Sequence, residues 1–242
     1  MGIVKPYKRI YRRMLSGQPE YLRHLDYAVD KRSNIHSYHL IEKDLKVLFD
    51  YISPDDRNDL VFSHRIYELF FRCCTEFENN AKSILIENGY TRVGSLTIQD
   101  YFRVNEALKL NEYEVRINMW ENNVLNLKPF ELWNSSTYVS LGWYRDYNFV
   151  KHNRSSNFHL ANLRNLLTAS AGLLVILYAQ FAYHSFSPYQ EISQIGVDDE
   201  GFESGNDSLF SIKPYEWRED EKYDFNWGDL RAEANPYNNF EF

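Results

Sequence analysis

Eighteen consecutive residues without a charge, Leu166 to Tyr183, constrain this chain more than any other feature. The stretch reads LLTASAGLLVILYAQFAY. Its length sits at the lower edge of a transmembrane helix. A helix apolar on every side is also what the centre of a bundle requires. Thr168, Ser170 and Gln180 interrupt the run, and no second such segment occurs. The expectation is a buried core helix and no membrane partner, with a membrane-anchored structural protein as the alternative.

The rest of the chain can supply a core around that helix. Of 242 residues, 44% are hydrophobic and 17% aromatic, which argues against wholesale disorder. Ten glycines and seven prolines are too few for collagen-like or many-turn β architectures. The two cysteines, Cys73 and Cys74, are adjacent. Neighbours in sequence rarely satisfy disulfide geometry, and two thiols alone make no zinc site. They point to a reducing, cytoplasmic compartment. Met1 to Pro6 lacks the apolar run of a signal peptide.

Periodicity predicts mostly helices. Leu40, Leu45, Leu48 and Phe49 keep helical spacing over residues 36–52, before Ser53-Pro54. Residues 57–88 form the longest candidate, with Gly89 placed to close it and the cysteines packed as small apolar groups. Thr97 and Asp100 suit a capping box that opens a helix to about Leu110. Tyr113 to Met119 alternates as a short strand, for which Ser208 to Ile212 is a candidate partner. Ser135-Ser136 can cap a helix from Thr137 to His152, and another runs from Phe158 to about His184. The expected fold is therefore all-α: a helical bundle of four to five main helices with a minor β or extended element and an irregular acidic tail. The expected organisation is a basic arm over 1–35, a helical domain over 36–186 and an acidic aromatic tail over 187–242.

Charge divides the same way. The formal net charge is −7, from 27 basic and 34 acidic side chains. Residues 1–186 carry 23 basic and 20 acidic groups, a net of +3, whereas residues 187–242 carry 4 and 14, a net of −10. An acidic average therefore does not exclude a polyanionic partner for the body. The tail has two readings. It is an extended lid with its acids in water, or a mimic of RNA that lies on the basic body and inhibits it.

The densest chemical signal is Trp143 to Arg154, WYRDYNFVKHNR. Arg145 and His152 are seven positions apart, so they fall within about 20° on one helix face and about 10.5 Å apart along it. Asn148 lies between them. Phe149, Val150 and Trp143 can turn inward. An arginine fork suits phosphate oxygens. A histidine can shuttle a proton near neutral pH. Asparagine can orient ligand or imidazole, and Lys151 and Arg154 add positive charge. RNA brings its own nucleophile, the 2′-OH, so such a site needs no metal and no cofactor. The bland reading of the same residues is a solvated helix end favoured by the dipole. Glu76, Glu78 and Asn79 on the long helix could turn a carboxylate toward His152, or form a solvated face. No H-x-x-x-H, Gly-rich phosphate loop or G-x-S-x-G occurs.

Arg145 and the polar Asp146, with six residues in all between Arg145 and His152, resemble the motif of the HEPN superfamily, an Arg followed by a polar residue and, four to six residues on, a His. Tyr147-Asn148-Phe149-Val150-Lys151-His152-Asn153-Arg154 is similar to a stretch of uncharacterised bacterial HEPN-like proteins, as is Arg72 to Glu78 to their preceding helix. The resemblance covers about residues 36–186. It implies a HEPN-like helical bundle and metal-independent RNA cleavage in a defence or toxin–antitoxin setting, with RNA, a second copy and an antitoxin as partners. Arg145 would hold phosphate, His152 would transfer protons, Asn148 would orient and Asp146 would hold the site together. Lys151, Asn153, Arg154 and Glu78 would line the substrate. The alternative is a non-catalytic HEPN-like module that binds nucleotide, RNA or protein.

Overall fold

The computed structural model describes residues 2–121, 124–183, 186 and 195–242. The expected helix end at His184 and the first residues of the tail, 187–194, lie outside them. Five helices carry the architecture: α1 (Lys31–Phe49), α2 (His64–Glu87), α5 (Gly142–His152), α7 (Leu163–Phe181) and, following α5 after Asn153, the short α6 (Arg154–Asn157). Two short helices, α3 (Ile98–Tyr101) and α4 (Val104–Leu108), follow α2 in the chain before the first strand, and α8 (Trp227–Leu230) lies in the tail.

The uncharged run becomes α7, the centre of the fold, and 83% of its most apolar stretch is buried. Its polar residues bond within the protein rather than opening a wet face. Thr168 and Ser170 donate back to the carbonyls of Arg164 and Leu166, both at 2.8 Å. Gln180 donates to the Ile176 carbonyl at 3.0 Å and to Asn80 Oδ1 at 2.9 Å. Cys73 Sγ lies 3.2 Å from Ser170 Oγ, and burial pushes its thiol up to about 12. The thiol therefore stays protonated and packs as a small apolar group.

Local chemistry sets several helix ends. Ser63 Oγ accepts from the Ile66 N–H at 3.2 Å and starts α2, later than the expected residue 57. Residues 56–58 form a separate 3-10 turn, whose start Asp55 caps by accepting from the Arg57 N–H. Gly89, at φ +84°, ends α2. Its N–H donates to Ile86 and that of Tyr90 to Leu85, the paired bonds of a Schellman motif. Asp100 accepts from the Thr97 N–H at 2.7 Å and opens α3 as expected, but the single helix expected to about Leu110 is split into α3 and α4.

The all-α expectation is overturned. The chain is 48% helical and 10% strand, with a five-stranded antiparallel sheet, which makes it an α+β protein. The strands are β1 (Glu114–Ile117), β2 (Leu125–Leu127), β3 (Ile195–Val197), β4 (Glu203–Gly205) and β5 (Phe210–Lys213), in the order β2-β1-β5-β4-β3. The expected pairing of the 113–119 strand with the tail is present, Val115 standing opposite Ile212. The tail is thus not irregular: it supplies three strands, including the central one. Strands of three or four residues give too short a periodic pattern to fix a sheet, although Phe210-Ser211-Ile212-Lys213 does alternate.

The basic arm and the tail are laced together. Residues 3 and 14 both bridge to Tyr223, and Tyr7 bridges to Asn238. The Tyr223 hydroxyl donates to the Ile10 carbonyl at 2.9 Å. Tyr21 stacks edge-on against Tyr223 and Tyr27, with ring centroids 5.4 and 5.5 Å apart. Much of the aromatic content is therefore core. Arg9 is 1% exposed, at φ +57°, and its guanidinium meets Asp30, Glu87 and Gln180.

One pH-sensitive tie joins α1 to the segments after α7. His39 Nε2 lies 2.8 Å from the Phe186 carbonyl, and its Nδ1 lies 3.8 Å from Glu42. Glu42 accepts from the Leu209 N–H and the Ser208 hydroxyl. The Glu42 interaction holds His39 above the usual histidine range, against the opposing effect of burial. Burial pushes Glu42 up, but His39, Leu209 and Ser208 outweigh it and hold the carboxyl low. A raised histidine stabilises fully below its unfolded value, about pH 6.5, and the contribution is lost as pH rises through the raised one. A lowered carboxyl stabilises above its unfolded range and fails only as pH falls through its own low value. The denaturation midpoint is therefore expected to fall between pH 6 and 8.5 more in the native chain than in His39→Gln. Parallel midpoint curves would contradict this.

Candidate functional site

Helix α5 begins at Gly142, with Leu141 in the N-cap position, not at Thr137 after Ser135-Ser136. Residues 131–134 form a 3-10 turn, and the Trp133 indole donates to the Val139 carbonyl at 3.2 Å, which holds the intervening residues as a loop. Ser135 and Ser136 instead line an open cleft of about 700 Å³ with Phe102, Arg103, Lys109 and Tyr138. Trp143, Tyr144, Tyr147 and Val150 face inward from α5. The Trp143 indole donates to the Pro129 carbonyl at 3.0 Å, and its ring packs edge-on against Phe77 of α2. This buried face fixes the rotation of α5 and leaves the opposite face to solvent.

Arg145 and His152 are both exposed on that opposite face, and Asn148 is half-exposed beside them. Arg145 is held from behind. Asp146 Oδ1 accepts from its Nε at 3.1 Å and its Nη2 at 3.0 Å. Asp146 is itself fixed, because its Oδ2 accepts from Asn165 Nδ2 of α7 at 3.0 Å. The chain Asn165–Asp146–Arg145 thus connects the core helix to an exposed guanidinium. One edge of the fork is used, and among the described residues the Nη1 edge has no bond. His152 is the last residue of α5, and among the described residues it has no hydrogen bond or ion pair.

The remaining expected site residues have other partners. Asn148 Nδ2 donates to the Tyr144 carbonyl at 3.1 Å, leaving Oδ1 as its outward group. Asn153 Oδ1 accepts from Ser155 and the Ser156 N–H, so it caps α6. Glu78 accepts from the Tyr144 hydroxyl at 2.7 Å and does not bond His152. That bond and burial push the Tyr144 hydroxyl well above its usual range, burial contributing most. Lys151 lies 5.1 Å over the Tyr147 ring, and Arg154 lies 5.6 Å over the Tyr67 ring. Burial lowers Lys151, but the charge of Glu78 and the Tyr147 contact outweigh it and hold its ammonium above the usual lysine range.

Two site residues escape a reading of the sequence. Asn165 lies outside the motif. Only the fold brings it against Asp146. Phe149, expected to turn inward, is 50% exposed. The helical arithmetic that joins Arg145 to His152 puts Phe149 about 40° from Arg145 on the same face. Its apolar character argues for the core, and its position argues for the site.

The tail does not cover this face among the described residues. Its carboxylates pair with Lys5, Arg13, Lys46, Lys109 and Arg116, none of them on α5 or α6. Among the described residues no three His, Cys, Asp or Glu side chains come together as ligands for a metal ion.

No family model, no curated protein and no solved structure matches this chain.

Proposed function

We propose that the exposed face of α5 cleaves RNA without a metal ion. One observation carries this reading: an unpartnered His152 shares its face with an Arg145 whose guanidinium is clamped from behind by Asp146 and Asn165. A solvated helix end needs no such clamp. A phosphate-binding fork does, because fixing the guanidinium before binding removes part of the ordering cost. The proposal rests on these residues and on the resemblance of Arg145 to His152 to the HEPN motif. It does not depend on an all-α fold.

In the proposed reaction the 2′-oxygen attacks the adjacent phosphorus, and the bond from phosphorus to the 5′-oxygen breaks. The products are a 2′,3′-cyclic phosphate and a 5′-hydroxyl. One proton leaves the 2′-OH and one must reach the departing 5′-oxygen. His152 accepts the first. A single imidazole cannot act as base and acid in the same step, so the His152 of a second copy delivers the other. This is the chemical reason for a homodimer with a shared site. Arg145 takes the charge that builds on the phosphate oxygens, through the fork edge Asp146 leaves open.

A second reading, RNA binding without cleavage, is favoured by a different observation. Asp146 already balances the charge of Arg145, and both Arg145 and His152 lie on an open helix face. One assay separates the two. Single-stranded RNA incubated with the chain in excess EDTA is expected to be cut to cyclic-phosphate ends. A strand with a 2′-deoxy sugar at the cleavage position is expected to stay whole, because its nucleophile is gone. Bound but uncut RNA would favour the binding reading. Loss of all cutting in EDTA would refute the metal-free reaction.

A further inference from the structure

Beside the α5 face, the seam between α2 and α5–α6 carries a continuous run of rings. Tyr147 lies 4.9 Å from Phe71, Phe71 lies 4.4 Å from Tyr67, and Tyr67 lies 5.9 Å from Phe158, centroid to centroid. Phe158 then meets Phe62 at 5.7 Å. Only Tyr147 is fully buried. Tyr67, Phe71 and Phe158 are half-buried, and Phe62 is 47% exposed. Most of the fully buried aromatics of this chain lie elsewhere, in the core. Here the rings surface in a line.

Two exposed cations are set into the line, Lys151 over Tyr147 and Arg154 over Tyr67. Neither belongs to an ion pair among the described residues, whereas Arg65 and Arg72 on α2 are both tied to Asp44. Glu78, the acid whose charge reaches Lys151, is bound to Tyr144. A guanidinium resting on a ring keeps its N–H edges free for an anion. Rings with accessible faces, alternating with unpaired cations, form a surface for unstacked bases joined by phosphates. A duplex hides its bases from such a surface.

We propose that this seam is a track for single-stranded RNA, with bases stacking on Phe62 and Phe158 and phosphates resting on Lys151 and Arg154. The track leads the strand toward His152, the neighbour of Lys151 in α5. This rests on the RNA-cleaving reading for the identity of the strand, but binding can be measured without cleavage.

The test is fluorescence anisotropy of a labelled 2′-O-methyl oligouridine of about twelve nucleotides, which cannot be cut, against the full chain. The expected result is binding that weakens steeply with salt, and binding of an equally long duplex at least 10-fold weaker. Lys151→Gln with Arg154→Gln is expected to weaken binding about 10-fold and to flatten the salt slope by about 1.4, the value for two single-strand phosphates. Phe62→Ala, at a half-exposed site, is expected to cost roughly 5-fold or more. Thermal melts of each variant establish matched folding. Native-like binding by the double variant, or equal binding of duplex and single strand, would overturn the track. If wild type binds but never cuts unmodified RNA, the cleavage reading fails and the track stands. If it cuts RNA while these variants bind normally, the track fails alone.

Discussion

A chain ending at Asn206 is expected not to fold. The acidic tail invites deletion, since it holds 14 of the 34 acids and little that resembles the helical body. It also contributes β5, the middle strand, which pairs with β1 on one side and β4 on the other. Without it β1 and β2 form an isolated two-stranded ribbon, which is marginal in water. Leu209, Phe210, Ile212, Tyr223, Trp227 and Tyr237 are all buried. At about 1.5–3 kcal/mol for each large apolar side chain, their removal costs about 10 kcal/mol, comparable to the whole stability of a typical domain. The arm would lose part of its anchorage as well, because the bridges of residues 3, 7 and 14 run to the tail. The expected observation is a chain with no cooperative thermal transition. A cooperative melt within about 5 °C of full length would show that the tail is an accessory. Loss of folding would also bar deletion as a test of self-inhibition. Charge reversal of single tail acids such as Asp207, which is exposed and pairs with Lys46, is the usable substitute.

The parts of this fold that a sequence discloses are those that local chemistry fixes. The Schellman end at Gly89, the Thr97–Asp100 turn and the uncharged core helix each depend on residues within a few positions of one another. The sheet does not. Val115 meets Ile212 across 97 positions, and Ile3 meets Tyr223 across 220, so no local pattern encodes the pairing. The pairing of β1 was legible only because Tyr113 to Met119 alternates and required a partner. Helix starts were missed for a different reason. Thr137 to Leu141 has residues that suit a helix, but Trp133 claims the Val139 carbonyl and keeps the segment extended. Phe158 similarly belongs to a 3-10 turn packed on Phe62 and His64, so α7 waits for the Asn162 cap. In the site, the spacing of Arg145 and His152 was legible and their shared exposed face follows from it. The clamp from Asn165 and the exposure of Phe149 were not, because both depend on how α5 is rotated against α2 and α7.

The net charge of −7 describes neither half of the molecule. Lys5, Arg13, Lys46, Lys109 and Arg116 face tail carboxylates, which offset their charge locally. Lys151 and Arg154 are not so bound, and they flank the face that carries Arg145 and His152.

His152→Ala is expected to reduce RNA cleavage by about 10²–10⁴-fold, the range for loss of a positioned acid or base. The substitution is at an exposed helix end without a partner, so its effect on stability is expected to stay within about 0.5 kcal/mol. Arg145→Ala is expected to fall in the same direction, and Asp146→Asn less far, because the fork remains but loses its charged clamp. The decisive measurement is cleavage of single-stranded RNA in EDTA by wild type and His152→Ala, with the two melting together. Cyclic-phosphate ends formed by wild type and nearly absent with His152→Ala are the predicted result. Equal cleavage by both proteins would contradict the assignment of this face as the catalytic site.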